Sequence, residues 1–192
     1  MAEKKSMYST FVENNKIDKK YYDKYQVKRG LRNQDGTGVM AGVTNICNVH
    51  GYVVSEGEKI PDKGELTFRG YSIKDLVENV EKEGRFGYEE IVYLLLMGEL
   101  PDKAQLAEFD KVIDENRQLP RDFFGDMILK APSLNIMNKL ARSILALYSY
   151  DECPDIITPE HEIDTAISII SKLPVIMVLA YYVKQSCYCD KS

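Results

Sequence analysis

From Gly70 onward the chain spaces its apolar residues three and four positions apart almost to its end, which restricts most of it to helices packed on helices. Ser72-Ile73-Lys74-Asp75 has the capping-box spacing, with an acid three residues after the cap, and Ile73, Leu76, Val77 and Val80 then fall on one face. Tyr88–Met97 carries Ile91, Val92, Leu94, Leu95 and Leu96. It is apolar on nearly every side, so a buried central helix is expected, with Gly98 placed to stop it. Pro101-Asp102 opens a further helix with a stripe of Leu106, Phe109, Val112 and Ile113, and a shorter one is expected over 121–130. Residues 135–148 carry Ile136, Leu140, Ile144 and Leu147 on one face. Thr158-Pro159, a cap followed by proline at the first helical position, starts the last helix. That helix should run through Ile163, Ile167 and Ile170 to about Lys184, with a kink or restart at Pro174.

The N-terminal third reads differently. Residues 1–28 form a polar, partly helical leader marked by Tyr8, Phe11, Val12, Ile17, Tyr21, Tyr22 and Tyr25. Residues 29–70 form a loop and a small β element. Gly30-Leu31-Arg32-Asn33-Gln34-Asp35-Gly36-Thr37-Gly38 is turn or loop, because glycine tolerates positive φ. After it the apolar period shortens towards two. Val49, Tyr52-Val53-Val54 and Leu66-Thr67-Phe68 are β-type clusters separated by a polar segment, 55–65, so one or two small hairpins are expected. The organisation is therefore 1–28, 29–70 and a helical 71–192, in a mainly α fold with a small β-hairpin element.

The 192 residues suit one domain or one with a small appendage, and the even spread of apolar residues (44%) excludes a disordered chain. Four cysteines are too few for a disulfide scaffold. No apolar h-region follows Met1-Ala2-Glu3-Lys4-Lys5, and the longest unbroken apolar run, 174–183, is ten residues. That run is half of the ~20 needed to cross a bilayer, so a soluble, cytoplasmic protein is expected, without a membrane partner. The net charge of −5 hides an asymmetry: residues 1–30 carry eight basic and four acidic side chains, a net of +4, and the rest is acidic. Lys4, Lys5, Lys16, Lys19, Lys20 and Lys24 are interleaved with acids and form no basic stripe, which argues against nucleic acid.

Candidate chemistry is sparse. Gly36-Thr37-Gly38-Val39-Met40-Ala41-Gly42 superficially resembles a phosphate loop, but no strand precedes it and no helix follows, so a plain turn is expected. Cys47 and His50 with Cys187 and Cys189 could compose a zinc site, yet neither spacing is that of a zinc knuckle, and small buried or edge thiols are the better account. Cys47 activated by His50 fails on geometry, since i and i+3 in a strand point to opposite faces. The acidic pairs Glu89-Glu90, Asp114-Glu115 and Asp151-Glu152 diverge on a helix and read as solvated, and His161, between Glu160 and Glu162, reads as exposed. No catalytic, cofactor-binding or metal-binding residue is assigned from these patterns.

Several ordered stretches resemble one family. Gly30-Leu31-Arg32-Asn33 with Asp35-Gly36-Thr37-Gly38-Val39, then Asn48-Val49-His50-Gly51-Tyr52, are similar to the opening of bacterial citrate synthases. Gly64-Glu65-Leu66-Thr67-Phe68-Arg69-Gly70-Tyr71-Ser72-Ile73 is similar to the family's GELxxRGxxI segment, and Tyr93-Leu94-Leu95-Leu96-Met97-Gly98-Glu99-Leu100-Pro101 to its YLLLxGELP. Asn135-Ile136-Met137-Asn138-Lys139-Leu140-Ala141-Arg142-Ser143, then Leu147-Tyr148, and Ser171-Lys172-Leu173-Pro174-Val175-Ile176 continue the resemblance over about residues 25–186.

The resemblance implies a mostly helical two-domain fold and the condensation of acetyl-CoA with oxaloacetate to citrate and CoA, the acyltransferase step of the tricarboxylic acid cycle. It also implies a homodimer through helices matching 135–148 and 160–184, and no cofactor beyond acetyl-CoA as substrate. In the family a carboxylate removes a methyl proton from the thioester, one histidine donates to the enol oxygen and a second protonates the attacked carbonyl. Those groups lie in HGxAN, GHxxY and DFYSG motifs, none of which occurs here. His50-Gly51 is followed by Tyr52, and His161 matches neither histidine motif. The expectation is an N-terminal part of the large helical domain, catalytically inactive alone. A 2-methylcitrate synthase fragment or a non-catalytic helical interaction module are the alternatives.

Overall fold

The computed structural model describes residues 6–28, 32–33 and 38–189, and the chain divides into two compact units, Met1–Leu106 and Ala107–Ser192. In the first, α1 (Met7–Asn14) starts at Ser6, whose hydroxyl accepts from the Ser9 amide at 3.3 Å, and α2 (Lys20–Lys24) follows. Strands β1 (Cys47–Ser55), β2 (Glu58–Phe68) and β3 (Tyr71–Ser72) form an antiparallel sheet in sequence order. Both connections are two-residue turns with both central residues at positive φ, Glu56 (52°) with Gly57 (86°) and Arg69 (49°) with Gly70 (89°), the type I′ geometry that matches strand twist.

The polar segment 55–65 is therefore no separator between small hairpins. It supplies the turn and most of β2, in one long hairpin that pairs Val53 with Ile60 and Val49 with Leu66. Its polarity follows from its surroundings: residues 58–65 of β2 are all exposed, so no buried side enforces alternation. The register shifts once, where Gly51 opposes residues 62–64, and Pro61, which has no amide to donate, sits at the edge of that irregularity.

Ser72 caps α3 (Ile73–Glu83) by accepting from the Lys74 amide at 3.3 Å, and Gly84 ends it in the left-handed region. Leu76 is buried, but Val77, placed by periodicity on the same face, is 48% exposed. Helix α4 (Tyr88–Met97) buries Val92, Tyr93, Leu94 and Met97 and ends at Gly98 (φ 82°), as its composition requires. Asp102 opens α5 (Lys103–Asn116) with a reciprocal box: its carboxylate accepts from the Ala104 and Gln105 amides, and the Gln105 side chain accepts from the Asp102 amide, all at 2.8 Å.

In the second unit α5 buries Phe109 and Ile113. The segment expected as a short helix contains a π-helical turn, Phe124–Leu129. Next come α6 (Ile136–Leu147), capped by Asn135, and α7 (Pro159–Lys184), capped by Thr158; a second π turn, Gln185–Cys189, continues α7. The core gathers Phe123, Ile128, Leu140, Ile176, Ala180 and Val183. Lys139 is buried beside it, its ammonium donating to the carbonyls of Met127 and Ala131 at the end of the first π turn. Burial, and secondarily Arg142, holds that amine below the ordinary lysine range.

Pro174 does not restart α7, which runs unbroken through it. What changes at the proline is the buried side. Ile163, Ile167 and Ser171 are buried before it and Ile176, Ala180 and Val183 after it, sets that project to roughly opposite sides of a 3.6-residue helix. This helix with its π turn is long and apolar enough by length and composition to cross a membrane. Counting only unbroken apolar runs overlooks it, because Ser168, Ser171 and Lys172 interrupt the run; within this unit its Ile176, Ala180 and Val183 belong to the buried core, and a third of its most apolar stretch is buried.

Candidate functional site

The most elaborated polar cluster of the first unit closes the end of α4. A helix leaves its last four carbonyls without intrahelical donors. Here the Leu94 carbonyl takes the Gly98 amide at 2.9 Å, and that of Leu95 takes Arg69 Nη2 at 2.9 Å. The Leu96 carbonyl takes Asn15 Nδ2 at 2.9 Å, and that of Met97 takes Asn14 Nδ2 at 2.6 Å. Arg69 also donates to Asn15 Oδ1 at 2.6 Å and Asn45 Oδ1 at 2.8 Å. Its cation faces the negative end of the α4 dipole, and burial lowers its pKa from the usual arginine value. Gly98 is required twice, by its φ and because a Cβ there would lie 2.7 Å from Asn14 Cβ. The cluster is a clamp: its side-chain amides and the two terminal guanidinium nitrogens of Arg69 are taken up by protein carbonyls and amide oxygens, while Arg69 Nε is buried without a hydrogen-bond partner among the described residues.

The second unit holds an open cavity of about 680 Å³ bounded by Ile144 and Leu147, by the connection at Tyr148, Asp151 and Pro154, and by one face of α7. That face carries a polar stripe, His161, Thr165, Ser168 and Lys172, spaced four, three and four, with Asp164 also at the cavity. His161 Nε2 lies 3.4 Å from Asp151 Oδ2 and 3.5 Å from Thr165 Oγ1, and Lys172 donates to Ser168 Oγ at 2.6 Å. His161 is therefore not the exposed residue its acidic neighbours suggest: its side chain and that of Asp151 are 26% and 25% exposed. Asp151-Glu152 lies in the connection before α7, not on a helix, and Asp151 also accepts from the Cys153 amide. The carboxylate and the hydroxyl meet the same ring nitrogen. A nucleophile–base–acid relay needs them on opposite nitrogens, so the trio is a tether and not a catalytic triad.

The other sequence candidates fall as follows. Gly36 and Thr37 of the glycine-rich segment lie outside the described residues. His50 Nε2 meets Asp62 Oδ2 at 2.8 Å across the hairpin irregularity, which with the Lys63 amide holds the Asp62 carboxyl below its usual range. Cys47 is exposed on β1, Cys187 half-buried in the other unit, and the Cys189 side chain lies outside the described residues. Among the described residues no three His, Cys, Asp or Glu side chains converge as a metal would require. Glu90 is not solvated: with its side chain 14% exposed, it pairs with Arg85 at 2.6 Å, and Glu90 then Glu83 raise the arginine's pKa. Sequence reasoning missed Asn14, Asn15 and Asn45, Lys139 and the α7 stripe. The stripe alone had a local signal, polar residues at helical spacing inside an apolar segment.

The family model of the citrate synthase C-terminal domain matches residues 32–191. A citrate synthase from Saccharolobus solfataricus is 30% identical over 160 residues, covering 83% of this chain and 36% of that protein. The 2-methylcitrate synthase 1 of Corynebacterium glutamicum is 27% identical, covering 80% of this chain and 35% of that protein. Among solved structures, citrate synthase from Pyrobaculum aerophilum superposes with a TM-score of 0.63 at 25% identity, over 84% of this chain and 40% of that one. A ternary complex of the Thermoplasma acidophilum enzyme with carboxymethyl coenzyme A and oxaloacetate gives 0.60 at 20% identity, over 76% and 34%, a likeness of fold. The chain thus spans about a third of the length of the curated relatives it matches. With a mainly helical fold, a small antiparallel sheet and a match over most of its length, the chain belongs to the citrate synthase family.

Proposed function

We propose that this chain is the N-terminal part of the large helical domain of a protein that condenses acetyl-CoA with oxaloacetate to citrate and CoA. In this reading it contributes scaffold and self-association surface and no catalytic group. One observation carries it: the family match covers 32–191, while both histidines are engaged in local pairs, His50 with Asp62 and His161 with Asp151, outside any family catalytic motif. The proposal includes a cytoplasmic location, no cofactor besides the thioester substrate, no nucleic-acid or membrane partner, and homodimerisation through 135–148 and 160–184. Exposed Met137 and Leu145 on α6, and Met177, Val178, Tyr181 and Tyr182 on α7, support that last point. The similarity to 2-methylcitrate synthase 1 favours a second reading in which the acyl donor carries one more carbon.

Split reconstitution tests the proposal. The purified 192-residue chain should release no thiol from acetyl-CoA with oxaloacetate. Co-expressed with the remaining C-terminal two thirds of a family member, it should co-purify and restore release. Thiol release by the chain alone, or co-purification without activity towards either a two-carbon or a three-carbon acyl thioester, would overturn it.

A further inference from the structure

The ribbon of the first unit has an open edge on each strand, and the two are built differently. Ser55 and Glu58 close a two-residue turn and so exchange ladder hydrogen bonds. By the alternation of an antiparallel pair Val53 also faces β2, and the backbone N–H and C=O of Tyr52 and Val54 point away from it. At the other end the Arg69 amide donates to the Ile46 carbonyl at 2.8 Å, a bond that flanks a non-hydrogen-bonded pair. The backbone groups of Cys47, opposite Phe68, and of Val49, opposite Leu66, therefore point outward as well, and the sense of alternation changes at the irregularity around Gly51. Sheet order leaves β1 with no neighbouring strand on that side among the described residues, and all of it except half-buried His50 is exposed. On β2 the corresponding outward positions include Lys59 and Pro61, a charge and a residue without an amide proton, which discourage further pairing. Cys47–Ser55 has no such device: it contains no Asp, Glu, Lys, Arg or Pro.

The open backbone groups of β1 fall at 47, 49, 52 and 54, in steps of two, three and two, a series that reads the same in reverse. An antiparallel second copy of β1 therefore sets 47 opposite 54 and 49 opposite 52, and all four positions meet an open partner. A strand of regular alternation matches only one half of the series, which favours a second copy over an unrelated strand. No like charges meet across the pair, and Val49 lies opposite Tyr52, a β-branched side chain against an aromatic one. His50 falls opposite Gly51, which has no side chain to displace it from Asp62. We propose that β1 is a self-pairing edge: two copies of the chain join β1 to β1 about a two-fold axis between residues 50 and 51, and their ribbons become one continuous sheet. The contact lies in the first unit, separate from the helical surface of the second, and it does not rest on the synthase reading. A nine-residue strand pair is a small interface, so it forms at high protein concentration.

Val54→Cys tests the register in the whole chain, with the exposed native Cys47 as the second thiol. The two positions are about 23 Å apart along one strand, so they cannot bond within a chain. Across the two-fold axis they form a hydrogen-bonded pair with Cα atoms about 5.5 Å apart, within disulfide reach. Mild oxidation of the concentrated chain should give a disulfide-linked dimer whose peptide map joins position 47 to position 54. Its yield should be severalfold higher than with Val53→Cys, whose thiol is one residue out of register. The link should persist when Leu145→Glu and Tyr182→Glu remove the exposed helical surface. In the unoxidised wild-type chain, amide exchange at Val49, Tyr52 and Val54 should slow severalfold as concentration rises. Equal cross-linking by Val54→Cys and Val53→Cys, a map dominated by 47-to-47 or 54-to-54 links, loss of the link in the Leu145→Glu/Tyr182→Glu chain, or exchange at the three amides that ignores concentration overturns the assignment.

Discussion

Arg69 joins three stretches of the first unit through one guanidinium: the C-terminal cap of α1 at Asn15, the approach to β1 at Asn45, and the end of α4 at the Leu95 carbonyl. Lysine could supply the charge but not the planar fork that reaches these acceptors together. Removing the group entirely leaves a half-buried carbonyl and two amide oxygens without donors. Arg69→Met should therefore destabilise the first unit by about 2–4 kcal/mol. Arg69→Lys should recover only part of that loss. Urea titration of the chain reads both, followed by tyrosine fluorescence because there is no tryptophan and Tyr93 is buried in α4. Equal midpoints for wild type and Arg69→Met would show the clamp to be ornamental. The local half of this arrangement was legible: Gly98 announces the stop. The other half was not, because Asn14 and Asn15 meet α4 carbonyls more than 80 residues away and carry no periodicity of their own.

At the scale of elements, local chemistry was legible wherever it sufficed. Ser72, Asp102, Asn135 and Thr158 start helices because each offers an oxygen to first-turn amides. It misled where a segment answers to its partner instead. Residues 58–65 look like a loop and form a strand because β1 supplies ladder donors and acceptors to a ribbon with no buried side to alternate against. Pro174 looks like a break and is carried within α7, where the helix changes the side it buries. The hairpin turn offers a direct check. Glu56 holds a positive φ that asparagine adopts more readily, so Glu56→Asn should stabilise the ribbon by roughly 0.5–1 kcal/mol, and Gly57→Val should weaken it by more than 1 kcal/mol. Amide exchange at Val53 and Ile60, which pair across the ribbon, measures both. Unchanged protection in Gly57→Val would mean that the register is held elsewhere.

For the molecule as a whole, what matters is how much apolar surface the second unit leaves uncovered after building its core. Leu145 is 75% exposed, Met137 73% and Tyr182 67%, and Met177, Val178 and Tyr181 extend the surface along the half of α7 beyond Pro174. The change of buried side at the proline accounts for this: residues that continue the early buried face of α7 emerge on its later half without a covering element. A single exposed leucine is ordinary, but several large apolar residues on successive turns of one helix resist solvation and favour association. The chain should therefore self-associate at micromolar concentration and bind an apolar dye. Leu145→Glu with Tyr182→Glu should shift it towards monomer and reduce dye binding while leaving the far-ultraviolet circular dichroism spectrum intact, because neither side chain belongs to the buried core. Sedimentation velocity over a concentration series distinguishes the outcomes. A wild-type chain that stays monomeric and dye-silent would mean that these residues are tolerated as solvent-facing and that the surface is not an interface.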